Sequence, residues 1–176
     1  MAATLERPAL RWKDSYRAFV AEIAARGEEF VPFPLGFPHE NFAVLLAQLD
    51  GYSRGIGLAP GFVPHSTFWL VEADEVVGCA NLRHALTESL RVEGGHIGYG
   101  VRPSARGRGL AKAMLAATLR EARALGIERA LVTCDKANLA SAGVIRANGG
   151  VLEDEAFRPK RGGVVQRWWI EVPPAP

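Results

Sequence analysis

Arg106-Gly107-Arg108-Gly109-Leu110-Ala111 stands between an extended apolar run, His96 to Val101, and a helical run that starts near Leu110. The stretch therefore reads as strand, loop and helix start. The first backbone N–H groups of a helix have no partner within it. No Ser, Thr, Asp or Asn stands directly before this helix to cap them. Two glycines and two arginines stand there instead. Glycine lets backbone approach a ligand closely, and arginine adds a forked, permanently charged donor. Together with the positive end of the helix dipole, these make a site for phosphate or pyrophosphate. A solvated basic turn has the same composition, but the position between strand and helix favours the site.

Outward from this loop, the composition bounds the possibilities. A chain of 176 residues can build one domain with a substantial core. The net charge of +2 is too small to argue for nucleic acid. Arg102, Arg106, Arg108 and Lys112 gather around the loop, while Arg158, Lys160 and Arg161 read as a solvated turn. The two cysteines, Cys79 and Cys134, have neither zinc spacing nor a disulfide framework and are expected reduced in the core. No metal site and no membrane span is expected, and the N-terminus lacks the order of a signal peptide. The expected location is the cytoplasm.

Hydrophobic periodicity gives the elements. Thr4 to Arg7 is a candidate edge strand. Trp12 to Arg26 and Glu40 to Leu49 are helices. Val31 to Pro38 is a Pro-rich loop, and Gly51 to Pro64 is a long Gly/Pro-rich one of the kind that often borders a site. Phe68 to Ala73 and Val76 to Arg83 form a hairpin through Asp74-Glu75, and Ala85 to Gly94 has no clear period. His96 to Val101 is a strand, Leu110 to Leu125 a helix ended by Gly126, and Ala130 to Cys134 a short buried strand. Leu139 to Ala147 is a helix with Asn138 as N-cap. Val151 to Glu153 and Val164 to Val172 close the sheet. This order predicts an α+β fold, a central mixed β-sheet with helices on both faces. The expectation is one domain over 1–176, with a core over 67–172, a helical part over 1–66 and a Pro-rich tail over 173–176.

The residues around the loop resemble the GCN5-related N-acetyltransferases. That family's pattern for the acetyl-CoA pyrophosphate, Gln/Arg-x-x-Gly-x-Gly/Ala, is met by Arg106, Gly109 and Ala111. A second similarity follows in Asp135-Lys136-Ala137-Asn138-Leu139-Ala140-Ser141 and Asn148-Gly149-Gly150. The resemblance spans about Thr67 to Val172. It implies the GNAT fold and transfer of acetyl from acetyl-CoA, a co-substrate, to an amine of a small-molecule or peptide acceptor. Backbone N–H groups of Gly107, Arg108, Gly109, Ala111 and Lys112 would hold the pyrophosphate, helped by the Arg106 and Arg108 side chains. The strand His96-Ile97-Gly98-Tyr99-Gly100-Val101 would splay from its parallel neighbour, and its glycines suit a bulge or a close ligand. An N–H near Val101 would bind the thioester carbonyl, Tyr99 would contact the cofactor, and Asn138 and Ser141 would lie near the pantetheine arm.

The acceptor amine must lose a proton, although a lysine titrates near about 10. His96 is the candidate base because its unperturbed pKa suits the task, with Glu93 and His84 as alternatives. Two positions depart from the family pattern: Ile145 stands where a proton-donating Tyr is frequent, and Gly150 where an aromatic residue is usual. A non-catalytic module binding CoA or acyl-CoA is the alternative reading. A dinucleotide fold wants a third glycine where Lys112 stands, and a P-loop wants Ser or Thr after that lysine. Adjacent Trp168 and Trp169 on the last strand must face opposite ways, which makes one of them a candidate homodimer contact.

Overall fold

Ala73 and Asp74 adopt φ of 48° and 62°, the left-handed conformation that a two-residue hairpin turn demands. In the computed structural model, which describes residues 3–174, this turn joins β2 (His65–Glu72) to β3 (Glu75–Arg83) one residue earlier than the composition suggests. The remaining elements are β1 (Thr4–Glu6), α1 (Lys13–Ala25), α2 (Phe42–Ser53), α3 (Glu88–Val92), β4 (Ile97–Val101), α4 (Leu110–Ala124), β5 (Arg129–Asp135), α5 (Leu139–Ala147), β6 (Val151–Arg158) and β7 (Gly163–Glu171). No helix among the described residues is long and apolar enough to cross a membrane. Of the tail 173–176, residues 175–176 lie outside the described residues.

The period-2 alternation of β2 and β3 separates two cores. On one face Trp69, Val71, Val76 and Cys79 meet α1 and α2 through Tyr16, Phe19, Ile23, Leu45 and Leu49. The Tyr16 ring stacks on Trp69 with centroids 4.6 Å apart. On the other face Leu70, Val77 and Ala80 meet Leu110 and Met114 of α4. Further along that face, Leu82 and Ile97 join Leu115 and Leu119 with residues of β5, α5 and β7. Each large apolar side chain so buried contributes about 1.5–3 kcal/mol. Helices cover both faces, as the periodicity requires.

The sheet is mixed in direction but not in pairing. Its ladders form two antiparallel sheets, β1-β2-β3-β4 and β5-β7-β6. The crossover through α4 lays β4 beside β5, and the two touch only at their starts. There the His96 N–H donates to Leu131 O at 2.7 Å, and the Leu131 N–H donates to His96 Nδ1 at 2.9 Å. This approach requires glycine: Gly95 has φ +61, and a Cβ on it would stand 2.4 Å from Leu131 O.

Three segments differ from the sequence reading. Helix α2 continues through Gly51 to Ser53. The stretch 85–94 contains the short α3, capped by the Thr87 hydroxyl, which accepts from the Leu90 N–H at 3.2 Å. β6 runs on past the expected end at Glu153 to Arg158, although Asp and Glu are poor strand formers. Pairing along β7 overrides that local preference, and Arg167 bridges to Glu153 and Asp154 across the strands. Trp168 faces the core. Trp169 faces the other way, under the Arg129 guanidinium at 5.0 Å.

Two glycine substitutions should move stability in opposite directions in urea unfolding. Gly95→Ala should cost about 2 kcal/mol or more, because it strains the left-handed backbone and collides with Leu131 O. Gly143→Ala, in the middle of α5 with nothing near its Cβ position, should add about 0.5–1 kcal/mol. A neutral Gly95→Ala would mean that β4 and β5 do not meet as described.

Candidate active site

Beyond the His96–Leu131 contact no ladder joins β4 to β5, and a cavity of about 750 Å³ opens between them. The pairing with β3 decides what β4 presents to it. The Arg83 N–H donates to His96 O at 2.7 Å, and the Arg102 N–H to Val77 O at 2.8 Å. Given the register, Gly98 and Gly100 then turn their backbone groups toward β3. The alternation of an antiparallel ladder sends those of Ile97, Tyr99 and Val101 into the cleft. Gly98 and Gly100 are small for a reason on the α1 side. A Cβ on Gly100 would meet Val31 O at 2.0 Å, and one on Gly98 would meet Pro32 Cβ at 3.4 Å. The segment after α1 therefore lies directly on β4 and brings Glu28, Glu29 and Val31 to the cavity wall.

The loop before α4 forms one end of the cavity. Gly107 and Gly109 have φ of +79 and +77, and Gly109 is the N-cap, without a side-chain cap. Among the described residues, the N–H groups of Gly107 through Lys112 find no protein acceptor; the first helix bond is Ala113 N–H to Gly109 O at 3.2 Å. Arg106, Gly107, Gly109 and Ala111 line the cavity, whereas Arg108 and Lys112 do not. The arginine side chains, expected to help hold a pyrophosphate, rest on carboxylates. Arg106 forks onto Glu28 at 3.0 and 2.5 Å and donates from Nε to Val101 O at 3.2 Å. Arg108 donates to Glu72 at 2.6 Å.

The opposite wall comes from β5 and the start of α5. Asn138 Oδ1 caps α5 by accepting from the Ser141 N–H at 3.0 Å. The hydroxyls of Ser141 and Tyr99 are 2.9 Å apart, so a polar chain links the α5 cap to β4 across the cleft. Burial pushes the Tyr99 phenol up to about 12, and it stays protonated. Ile145 is fully buried in the core. A Cβ on Gly150 would come within 2.4 Å of its Cγ2 and 2.8 Å of its carbonyl oxygen, so the backbone here admits only glycine at 150.

The structure does not bring His96, the expected base, to the cavity. Its Nδ1 accepts from the Leu131 N–H, which leaves the ring proton on Nε2 and no free lone pair. Burial, with Arg91 and Arg83 nearby, lowers its pKa to about 4. Neither alternative reaches the wall. Glu93 lies 3.3 Å from Arg161 Nε, and His84 Nε2 bonds the Ser66 hydroxyl at 2.9 Å. The long loop over 51–64 contributes no wall residue either. It packs behind Phe33, which meets Phe62.

Sequence reasoning missed several wall residues: Glu28, Glu29, Val31, Thr133, Asp135 and Arg161. Arg161, read as part of a solvated turn, lies 3.0 Å from Asp135 and 3.9 Å from Glu29. The acidic pair Glu28-Glu29 after the helix-ending Gly27 was the only local signal. Cys134 is buried as expected but stands on the wall, while Cys79 is in the core. No group of three or more His, Cys, Asp or Glu among the described residues is placed to hold a metal ion.

A model of the acetyltransferase (GNAT) family matches residues 14–149. No curated protein matches the chain significantly. Among solved structures, one similar chain is RimL, a ribosomal L7/L12 alpha-N-protein acetyltransferase in complex with coenzyme A. It is 18% identical with a TM-score of 0.71, over 98% of this chain and 95% of that one. Another is the microcin C7 self-immunity acetyltransferase MccE in complex with acetyl-CoA and AMP, 12% identical with a TM-score of 0.71, over 97% and 92%. A third is yncA from Salmonella typhimurium, a putative acetyltransferase with acetyl-CoA, 15% identical with a TM-score of 0.62, over 99% and 96%. At these identities the likeness establishes the fold.

The buried histidines set an expected pH dependence. His65, whose Nδ1 lies 2.9 Å from the Asn81 amide nitrogen, is also lowered to about 4 by burial. Both groups take up protons more readily when unfolded, where the ordinary value is 6.5. Stability should therefore fall as pH drops from about 6.5 toward 4, with a slope approaching about two protons. His96→Gln should reduce that slope to about one. Unfolding free energy measured across this range checks both, and an unchanged slope in the variant would remove His96 from the account.

Proposed function

The chain belongs to the acetyltransferase (GNAT) family, and from that premise we propose that it moves the acetyl group of acetyl-CoA onto the amine of a small-molecule or peptide acceptor. The observation that carries this reading is the row of unpartnered N–H groups, Gly107 to Lys112, of which Gly107, Gly109, Leu110 and Ala111 line the cleft between β4 and β5. We read residues 1–176 as one acetyltransferase domain acting in the cytoplasm.

The donor chemistry fits the co-substrate. Backbone N–H groups at the start of a long helix bind a pyrophosphate without a dedicated side chain. The cleft-facing amides and carbonyls of β4 suit the amide-rich pantetheine arm, and Asn138 and Ser141 line the same wall. Acetyl-CoA supplies a thioester, whose carbonyl carbon is attacked by a neutral amine while the thiolate leaves. The Val101 N–H, turned into the cleft, would hydrogen-bond the thioester oxygen. A fixed donor of this kind contributes about 3 kcal/mol where charge develops. The Tyr99 hydroxyl would donate a hydrogen bond to the leaving sulfur. With its pKa raised to about 12, it stabilises that sulfur rather than surrendering its proton. A CoA thiol is acidic enough to leave as thiolate, so Ile145 in place of a tyrosine does not stop the reaction.

Proton removal falls to a water held by wall carboxylates. Asp135 and Glu29 stand on the wall beside Arg161, which gives them the charge to order a water and to accept its proton.

Thiol release measured with acetyl-CoA over a panel of amines should identify the acceptor class; CoA binding with no release from any amine would mark a binding module instead. Gly109→Val should weaken CoA binding at least about tenfold in calorimetry. It places a branched side chain at φ +77, where an L-residue is strained by about 1–2 kcal/mol, on the face of the N–H row. Unchanged affinity in the folded variant would move the pyrophosphate elsewhere.

A further inference from the structure

Arg106 is the one basic side chain of the loop that lines the cavity, and it is already occupied. Both ends of its fork rest on the Glu28 carboxylate at 3.0 and 2.5 Å, and its Nε donates to Val101 O at 3.2 Å. A guanidinium forked onto a carboxylate has no planar pair of donors left for a phosphate. The pair is also exchangeable. The Arg106 and Glu28 side chains are 46% and 34% exposed, and ion pairs this well solvated hold weakly. A pyrophosphate, which carries more charge than a carboxylate, is the stronger partner for the same guanidinium.

Glu28 is not an isolated surface acid. Its backbone N–H is anchored to the end of α1 at Ile23 O, 3.3 Å away. Three residues on, the Val31 carbonyl presses against Gly100 of β4. Glu28, Glu29 and Val31 line the cavity together. A second cation waits beside the acid, with Arg26 Nη1 3.8 Å from Glu28 Oε1. The side chain can pass from Arg106 to Arg26 without losing a counter-charge.

We propose that Glu28 is a positioning residue that occupies Arg106 until a pyrophosphate displaces it, so that filling the cofactor cradle turns the Glu28 carboxylate from Arg106 to Arg26. The inference rests on the reading of the Arg106–Lys112 loop as the pyrophosphate site. In this arrangement the Glu28 carboxylate on the cavity wall marks whether the cradle is filled.

The test is calorimetric titration of the full chain with CoA, joined to a crystal structure of the CoA complex. Glu28 is a partly exposed side chain, so Glu28→Gln should fold normally. Removing the competing charge should tighten CoA binding about threefold, and Arg106→Gln should weaken it. In the complex, the Arg106 guanidinium should contact the pyrophosphate, with Glu28 turned to Arg26. Glu28→Gln binding no tighter than wild type would overturn the proposal. So would a complex in which Arg106 stays forked on Glu28, because the pair would then be a fixed clasp. If neither wild type nor variant binds CoA, the cofactor reading fails and takes this inference with it. CoA binding with equal affinities removes the role of Glu28 alone.

Discussion

Two hydrogen bonds between His96 and Leu131 hold β4 and β5 together at one end, and almost everything the molecule offers a ligand follows from their being the last such bonds. A parallel pair that zipped further would satisfy the backbone groups of Ile97, Tyr99 and Val101 and leave no cleft. A pair without the clasp would leave the two antiparallel sheets joined only by the side-chain core between them and by the Gly94 N–H bond to the Thr133 hydroxyl. The clasp needs a chain that passes within contact distance of the Leu131 carbonyl, hence Gly95, and a side-chain acceptor for the Leu131 N–H, hence an imidazole held neutral by burial. His96 thus serves the site without entering it. The same burial that fits the ring for this task lowers its basicity.

The cradle is legible in the sequence because its parts are contiguous. Arg106 to Lys112 form a short loop and the first turn of a helix, and the meaning of glycines and missing caps there is local. The elements that position it are legible for the same reason: α1, α4 and α5 follow their hydrophobic periods closely. What is not legible is convergence. Glu28 and Val31, Asp135, and Arg161 reach the cavity from three separate segments, and no spacing rule links them. The side-chain partners of Arg106 and Arg108 belong to this class as well. That Arg106 and Arg108 rest on Glu28 and Glu72 follows only from the folded chain. The second half of β6 is hidden for a different reason, since strand pairing with β7 overrides the low strand preference of an acidic run.

A departure from a family pattern can have a purely local cause. The Gly150 N–H donates to Ile145 O at 3.0 Å, and a Cβ on Gly150 would stand 2.8 Å from that oxygen and 2.4 Å from Ile145 Cγ2. The backbone after α5 therefore holds position 150 to glycine, and an aromatic residue there would require the turn to be rebuilt.

The acidic run on β6 has a consequence for how this molecule behaves among its own copies. β6 is an outer strand of eight residues with Val151, Leu152 and Phe157 exposed, a form that invites a neighbouring chain to add a strand. Glu153, Asp154 and Glu155 put negative charge on both faces of its middle. Arg167 and Lys136 balance that charge only on the side facing the sheet. A second copy aligned there in an antiparallel register would bring carboxylate against carboxylate. The same three residues that disguise the strand in the sequence guard the molecule against edge-to-edge polymerisation.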